Sequence, residues 1–157
     1  MNTHVCIYRS FVESYLNYCP LVFVNAYRTH LIPLELAQRR CVRIITNQHP
    51  QAHSNPIFAN LRLLKVNDIF KLNLGTYMYK NLDKFSLNRH IHIHSTRSGV
   101  NRYIPSFQRL TLTLNQSIFY QVPANWNNIP DAIKECRLLK SFKFNYKNWI
   151  LAAYDQT

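Results

Sequence analysis

Apolar residues along the first twenty positions recur at steps of three and four: Val5, Tyr8, Phe11, Val12, Tyr15, Leu16 and Cys19. That spacing draws one face of a helix, which Pro20 stops. An apolar run from Leu21 to Tyr27 follows. A second helix is predicted from about Leu31 to Thr46, its apolar face made by Leu34, Ala37, Cys41, Ile44 and Ile45. Glu35, Arg39 and Arg43 stand four apart on its polar side with the acid N-terminal, an order that supports a helix. Asn47 to Pro56 reads as a loop. Asn55 and Pro56 then fit the N-cap and first position of a short helix through Leu61. Asn67-Asp68 opens a longer helix with Ile69, Phe70, Leu74, Tyr77 and Met78 on its apolar side, ending near Leu82; Gly75 weakens it slightly. Leu110 to Leu114 alternates with period two and Ser117 to Gln121 reads as a partner strand, with Asn115-Gln116 as the turn. A short helix starts at Pro130. A last one runs from Leu139 to Tyr154, with Leu139, Phe142, Tyr146, Trp149, Ile150 and Ala153 on its apolar face. The expected fold class is mainly α with one small β-hairpin. The loop around residues 47–56 divides a helical region, 1–50, from a C-terminal α+β region, 51–157.

Composition changes the picture in two ways. Of 157 residues, 47% are hydrophobic and 13% aromatic, enough for a real core, and only Gly75 and Gly99 are glycines. That scarcity argues against disorder and against glycine-rich phosphate loops. Lys and Arg number 19 against 7 Asp and Glu, a net +12 with His neutral. A surplus of this size favours polyanions as partners, nucleic acid before anionic membrane. No run approaches the roughly 18–20 apolar residues of a membrane span, and Arg9 and Glu13 interrupt the apolar N-terminal stretch, which makes a poor signal peptide. Cys6, Cys19, Cys41 and Cys136 form no C-x-x-C pair. Buried, reduced thiols in an intracellular protein of the nucleus or cytoplasm are expected.

The candidate chemistry is cationic. Arg39, Arg40 and Arg43 lie at turn spacing, where they can meet successive phosphates; the plainer alternative is a solvated face with Glu35 occupying Arg39 and Arg43. Lys140, Lys143 and Lys147, with Arg137, make a second stripe open to the same two readings. Residues 84–130 contain no acid. There Arg89, Arg97, Arg102 and Arg109 are interleaved with His90, His92, His94, Tyr103 and Phe107, a mixture that suits single-stranded RNA, whose bases stack. On a strand, the three histidines would share one face about 7 Å apart. That geometry permits a three-histidine zinc site. No acid or cysteine stands near to support it, and no metal or other cofactor is expected. No nucleophile–base pair stands out. Asp68, Asp83, Asp131 and Asp155 are all far apart. Nucleotidyl transfer needs carboxylates converging on two metal ions about 3.5–4 Å apart.

The stretch Gln121-Val122-Pro123-Ala124-Asn125-Trp126-Asn127-Asn128-Ile129-Pro130 is expected to form a tight corner, with Trp126 as a core anchor. It resembles the "GP-x-x-WN-x-LP-x-x-I" signature near the C-terminus of reverse transcriptases from jockey-like (LINE) non-LTR retrotransposons. Other pieces resemble the same family in the same order. Tyr18-Cys19-Pro20, Leu34, Gln38-Arg39-Arg40 and Arg43-Ile44-Ile45-Thr46 resemble its thumb-like region after the catalytic palm. Pro56-Ile57-Phe58-Ala59-Asn60-Leu61 and Leu64 to Ile69 resemble its "P-L-F-x-x-L-x-I-L-x-x-x-D-I". Met78-Tyr79-Lys80, His94-Ser95-Thr96-Arg97 and Ser141-Phe142-Lys143 continue the series over nearly the whole chain. The departures are Val122 in place of the usual glycine, a missing tryptophan around Val22-Phe23-Val24, and the absence of any Tyr-x-Asp-Asp sequence. The resemblance implies a palm-less C-terminal fragment of an RNA-directed DNA polymerase, inactive as it stands. It would hold RNA or an RNA–DNA hybrid beside a separate palm domain. Arg39, Arg40, Arg43, Arg97, Arg102, Arg109, Lys140, Lys143 and Lys147 would make the contacts. Pro123, Trp126, Asn127 and Pro130 would be structural. A protein-interaction module, or a relic without nucleic-acid affinity, is the alternative.

Overall fold

Helices dominate the computed structural model, which describes residues 3–23, 26–85, 103 and 117–154. In chain order they are α1 Thr3–Tyr8, a π-helical turn Arg9–Glu13, α2 Ser14–Leu16, α3 Pro20–Phe23, α4 Arg28–Ile45, α5 Ser54–Leu61, α6 Val66–Lys80, a 3-10 turn Leu82–Lys84, α7 Ile118–Asn127, α8 Asp131–Lys134 and α9 Leu139–Ala152. The fold class is therefore mainly α, as expected. The β-hairpin is not present as drawn: Ser117 to Gln121 opens helix α7, while the partner strand, 110–114, lies outside the described residues. The helical spacing of Ile118, Val122 and Trp126 overrides a five-residue alternation.

Two compact units divide the chain: residues 1–70 with 147–157, and residues 71–146. The division falls within α6 and α9, and the loop after α4 lies inside the first unit.

In the first unit α1 and α5 both pack on α4. Its core includes Tyr8, Leu16, Val42, Phe58, Leu63, Val66 and Ile69. Helix α4 starts at Arg28, three residues earlier than expected, and buries Gln38 and Val42. Ala37 and Ile44, assigned to its apolar face, are exposed. Helix α5 starts at Ser54, so Asn55 and Pro56 lie in its first turn and are not the N-cap and first position. With glycine so scarce, the left-handed residues that end helices are other types. Asn47 (φ 51°) follows α4 and Arg62 (φ 52°) follows α5. At both ends a 6→1 bond closes the helix, Gln48 N–H to the Arg43 carbonyl and Leu63 N–H to that of Phe58. Cys19 (φ 47°) turns the chain just before Pro20.

The second unit is built around aromatic rings. Tyr79 stacks on Phe142 with centroids 4.8 Å apart; Trp126 and Tyr146 lie 5.6 Å and 5.7 Å from the same ring. Gly75 belongs to this core because a Cβ there would come within 2.7 Å of Tyr146 Cε1. The Trp126 stretch is not a corner throughout. Pro123 sits within α7 beside Val122, and both are buried. Val122 has helical backbone, so no left-handed glycine is needed there. The turn comes only at Asn127 to Pro130.

Candidate nucleic-acid interface

Gln38 fixes the orientation of α4, and with it the three arginines of the first unit. Its Nε2 donates to the Tyr8 hydroxyl and to the Leu64 carbonyl, both at 2.9 Å, and its Oε1 accepts from Val66 N–H at 3.0 Å. The donors and acceptors around it leave only one amide orientation. At about 100° per residue, Arg39, Arg40 and Arg43 then span one sector of α4, away from Gln38 and Val42. Their states differ. Arg39 faces Glu35 at 3.6 Å, and Glu35 also accepts from Asn67 Nδ2 at 2.7 Å. Arg43 Nε donates to the Ala52 carbonyl at 2.8 Å, tying the following loop to the helix. Arg40 is exposed. The alternative of a solvated face placed Glu35 on both Arg39 and Arg43; Glu35 bridges Arg39, and Arg43 is held by backbone.

Lys147 also belongs to the first unit and is half-buried. Burial is the main influence holding its pKa below the usual lysine value. Glu13 opposes that shift, while Arg9 and Arg62 add to it. Nearby, Arg62 donates to Asn148 Oδ1 at 2.5 Å, and the Lys65 ammonium lies 4.2 Å over the Tyr154 ring. Arg62 and Lys65 thus have structural partners that the sequence alone did not reveal.

Lys140 and Lys143 of the second unit are exposed on α9, as is Arg137 just before it. Among the described residues none of the three has an acidic partner. They hold their places because Phe142 and Tyr146, on the other side of α9, are buried. The approach to α9 is fixed too: Tyr79 donates through its hydroxyl to the Cys136 carbonyl at 2.6 Å.

The asparagines around Trp126 have distinct functions. Asn125 Nδ2 donates to the Lys71 carbonyl at 3.0 Å. Asn127 pairs with the backbone of Tyr103 in both directions, accepting from its N–H at 3.1 Å and donating to its carbonyl at 2.9 Å. An amide side chain reproduces a strand-like bridge in this way. Trp126 is buried, as expected of a core anchor. Pro130 is the N-cap of α8, and Lys134 closes that helix by pairing with Asp131 at 2.9 Å.

Arg97, Arg102, Arg109 and the three histidines at 90, 92 and 94 lie outside the described residues. Among the described residues no cluster of three His, Cys, Asp or Glu is placed to hold a metal ion. The four cysteines form no disulfide. Buried thiols were expected, but Cys19 is exposed and Cys6, Cys41 and Cys136 are half-buried. Among the described residues no helix is long and apolar enough to cross a membrane. Comparison with protein families, with curated proteins and with solved structures finds no match.

Proposed function

We propose that this chain is a non-catalytic nucleic-acid-binding fragment derived from the C-terminal part of a retrotransposon RNA-directed DNA polymerase. RNA or an RNA–DNA hybrid is its ligand, and a separately encoded palm domain is the partner that would restore chemistry. It acts inside the cell, in the nucleus or cytoplasm. The observation that carries this reading is the net charge of +12, displayed in part as exposed Arg40, Lys140 and Lys143 on helices whose opposite faces are locked into cores, with exposed Arg137 just before α9. Phosphate contacts need cations at turn spacing on a rigid support and no particular base-reading group. The collinear sequence resemblance supplies the polymerase origin.

The test is binding of labelled single-stranded RNA, RNA–DNA hybrid and duplex DNA across a salt series. With about five cations on phosphates, log K falls against log salt with a slope of roughly −3.5 to −4.5. Arg40→Ala, Lys140→Ala and Lys143→Ala should each weaken binding on all sequences and reduce the slope by about one. These positions are preferable to Arg39 and Arg43, whose side chains also hold Glu35 and Ala52. Folded protein that binds none of the three ligands at low salt would refute the proposal.

A further inference from the structure

On its outer side α9 carries a large aromatic ring that the core does not use. Phe144 is 64% exposed, and among the described residues its ring meets no other ring. Phe142 and Tyr146 stand two residues to either side of it. At about 100° per residue, each points about 160° away from Phe144 around the helix. Both are buried, and Phe142 stacks on Tyr79 with centroids 4.8 Å apart. The helix is therefore held with Phe144 facing water on a fixed support. By the same rotation Lys140 lies about 40° from Phe144, one turn back, and Lys143 lies about 100° from it. Both lysines are exposed. The three side chains share one sector of α9, with Lys140 between the other two.

A single exposed apolar side chain is ordinary. The surroundings of Phe144 are what set it apart. From Cys136 to Tyr154 the charged residues are Arg137, Lys140, Lys143 and Lys147, with no acid among them. Among the described residues the ion pairs involve none of the first three. These charges decide what covers the ring. The buried centres of protein–protein interfaces are depleted in lysine, whose ammonium would have to leave water. A polyanion gains from the same lysines. An aromatic face among cations matches a nucleic-acid strand, whose phosphates take the charges while a base takes the ring. Only an unpaired base can do so, because inside a hybrid or duplex each base is already covered by its neighbours on both faces. We propose that this face of α9 binds an unpaired RNA strand, with one base stacked on Phe144 and flanking phosphates on Lys140 and Lys143. The inference rests on the nucleic-acid-binding reading above and narrows its ligand to single-stranded RNA. Every base has a π face, so the preference is for an unpaired strand and not for a sequence.

The experiment compares the full chain and its variants on a short labelled RNA without self-complementarity and on the same RNA annealed to its complementary DNA, with affinities read across a salt series. The expected result is tighter binding of the unpaired strand. Phe144→Ala weakens that binding about tenfold, the scale of one base–aromatic stack, and leaves the hybrid nearly unaffected. Its salt slope stays that of the native chain, because no phosphate contact is lost, whereas Lys143→Ala lowers the slope. Phe144→Tyr keeps the preference for the single strand. Phe144→Leu, apolar but without a π face, loses it as Phe144→Ala does. Circular dichroism confirms that each variant is folded. Equal binding of the two ligands, a Phe144→Ala variant as tight as the native chain, or full rescue by Phe144→Leu would overturn the stacking platform while leaving nucleic-acid binding intact. Folded protein that binds neither ligand would refute the nucleic-acid reading itself, and the platform with it.

Discussion

Replacing Gln38 by methionine tests the central joint of the first unit. Methionine keeps nearly the same length and volume, so packing changes little, but the side chain loses all three hydrogen bonds. Val66 N–H, in the first turn of α6, then has no acceptor from α4, the Leu64 carbonyl loses its donor, and so does the Tyr8 hydroxyl. All three residues are buried, so water cannot readily substitute. At about 1 kcal/mol per bond, with the orphaned N–H near the upper end of the range, the loss comes to about 3 kcal/mol. The assay is urea unfolding of the full chain followed by far-ultraviolet circular dichroism. For a slope near 2 kcal/mol/M the midpoint should fall by about 1.5 M. Tyr8→Phe should cost about 1 kcal/mol in the native background and almost nothing after Gln38→Met, because the two share one bond. A Gln38→Met loss below about 1 kcal/mol, with the slope unchanged, would refute the claim that this amide caps α6.

Two further outcomes follow from buried groups. Gly75→Ala should gain up to about 1 kcal/mol in helix propensity yet lose more, because its Cβ meets Tyr146 at 2.7 Å and Ile129 at 3.1 Å; overpacking of this kind costs about 1–3 kcal/mol. A thermal midpoint equal to or above that of the native chain would show that the Tyr146 ring moves aside easily. Burial raises the Tyr8 pKa from 10.0 to about 12, and burial followed by the Asp68 hydrogen bond raises that of Tyr154. The unfolded chain therefore loses these protons first, so stability is complete below about pH 10 and falls as pH rises toward the folded values. Urea midpoints through the alkaline range should show this fall, and Tyr8→Phe should flatten it; a midpoint constant past pH 10 would contradict the burial assigned to both phenols.

Helices with one apolar face were legible in the sequence. Ile69, Phe70, Leu74 and Met78 of α6, and Phe142, Tyr146 and Ile150 of α9, are buried as their spacing predicted. The N-terminal helix shows why spacing is not sufficient. Its apolar residues occupy two faces, and periodicity cannot tell which one meets the core, so Phe11 and Tyr15 were assigned inward although they face water. Gln38 shows the opposite failure. A glutamine is usually exposed, and its role here depends on backbone groups 26 and 28 residues away. Its place four residues from both Leu34 and Val42 was the available signal. Of the candidate site, Arg40, Lys140 and Lys143 are exposed as a binding face requires. Arg43's tie to the Ala52 carbonyl and the burial of Lys147 depend on the folded chain, and only Glu35 for Arg39, four residues away on the same helix, was legible.

The first turn of α6 has consequences for the order in which the chain acquires its structure. Val66 N–H is satisfied by Gln38, but Lys65 N–H donates to the Tyr154 hydroxyl at 3.1 Å, and that hydroxyl donates in turn to Asp68. One partner is made long before α6 during synthesis and the other nearly ninety residues after it. Contacts of such sequence separation must overcome loop-closure entropy before they contribute, and they slow folding. A ribosome would therefore have produced the whole of residues 71–146 before the first unit could close. During that interval the N-terminal helices, with their outward row of aromatic side chains, wait on α4 without the last tyrosine that completes their own unit.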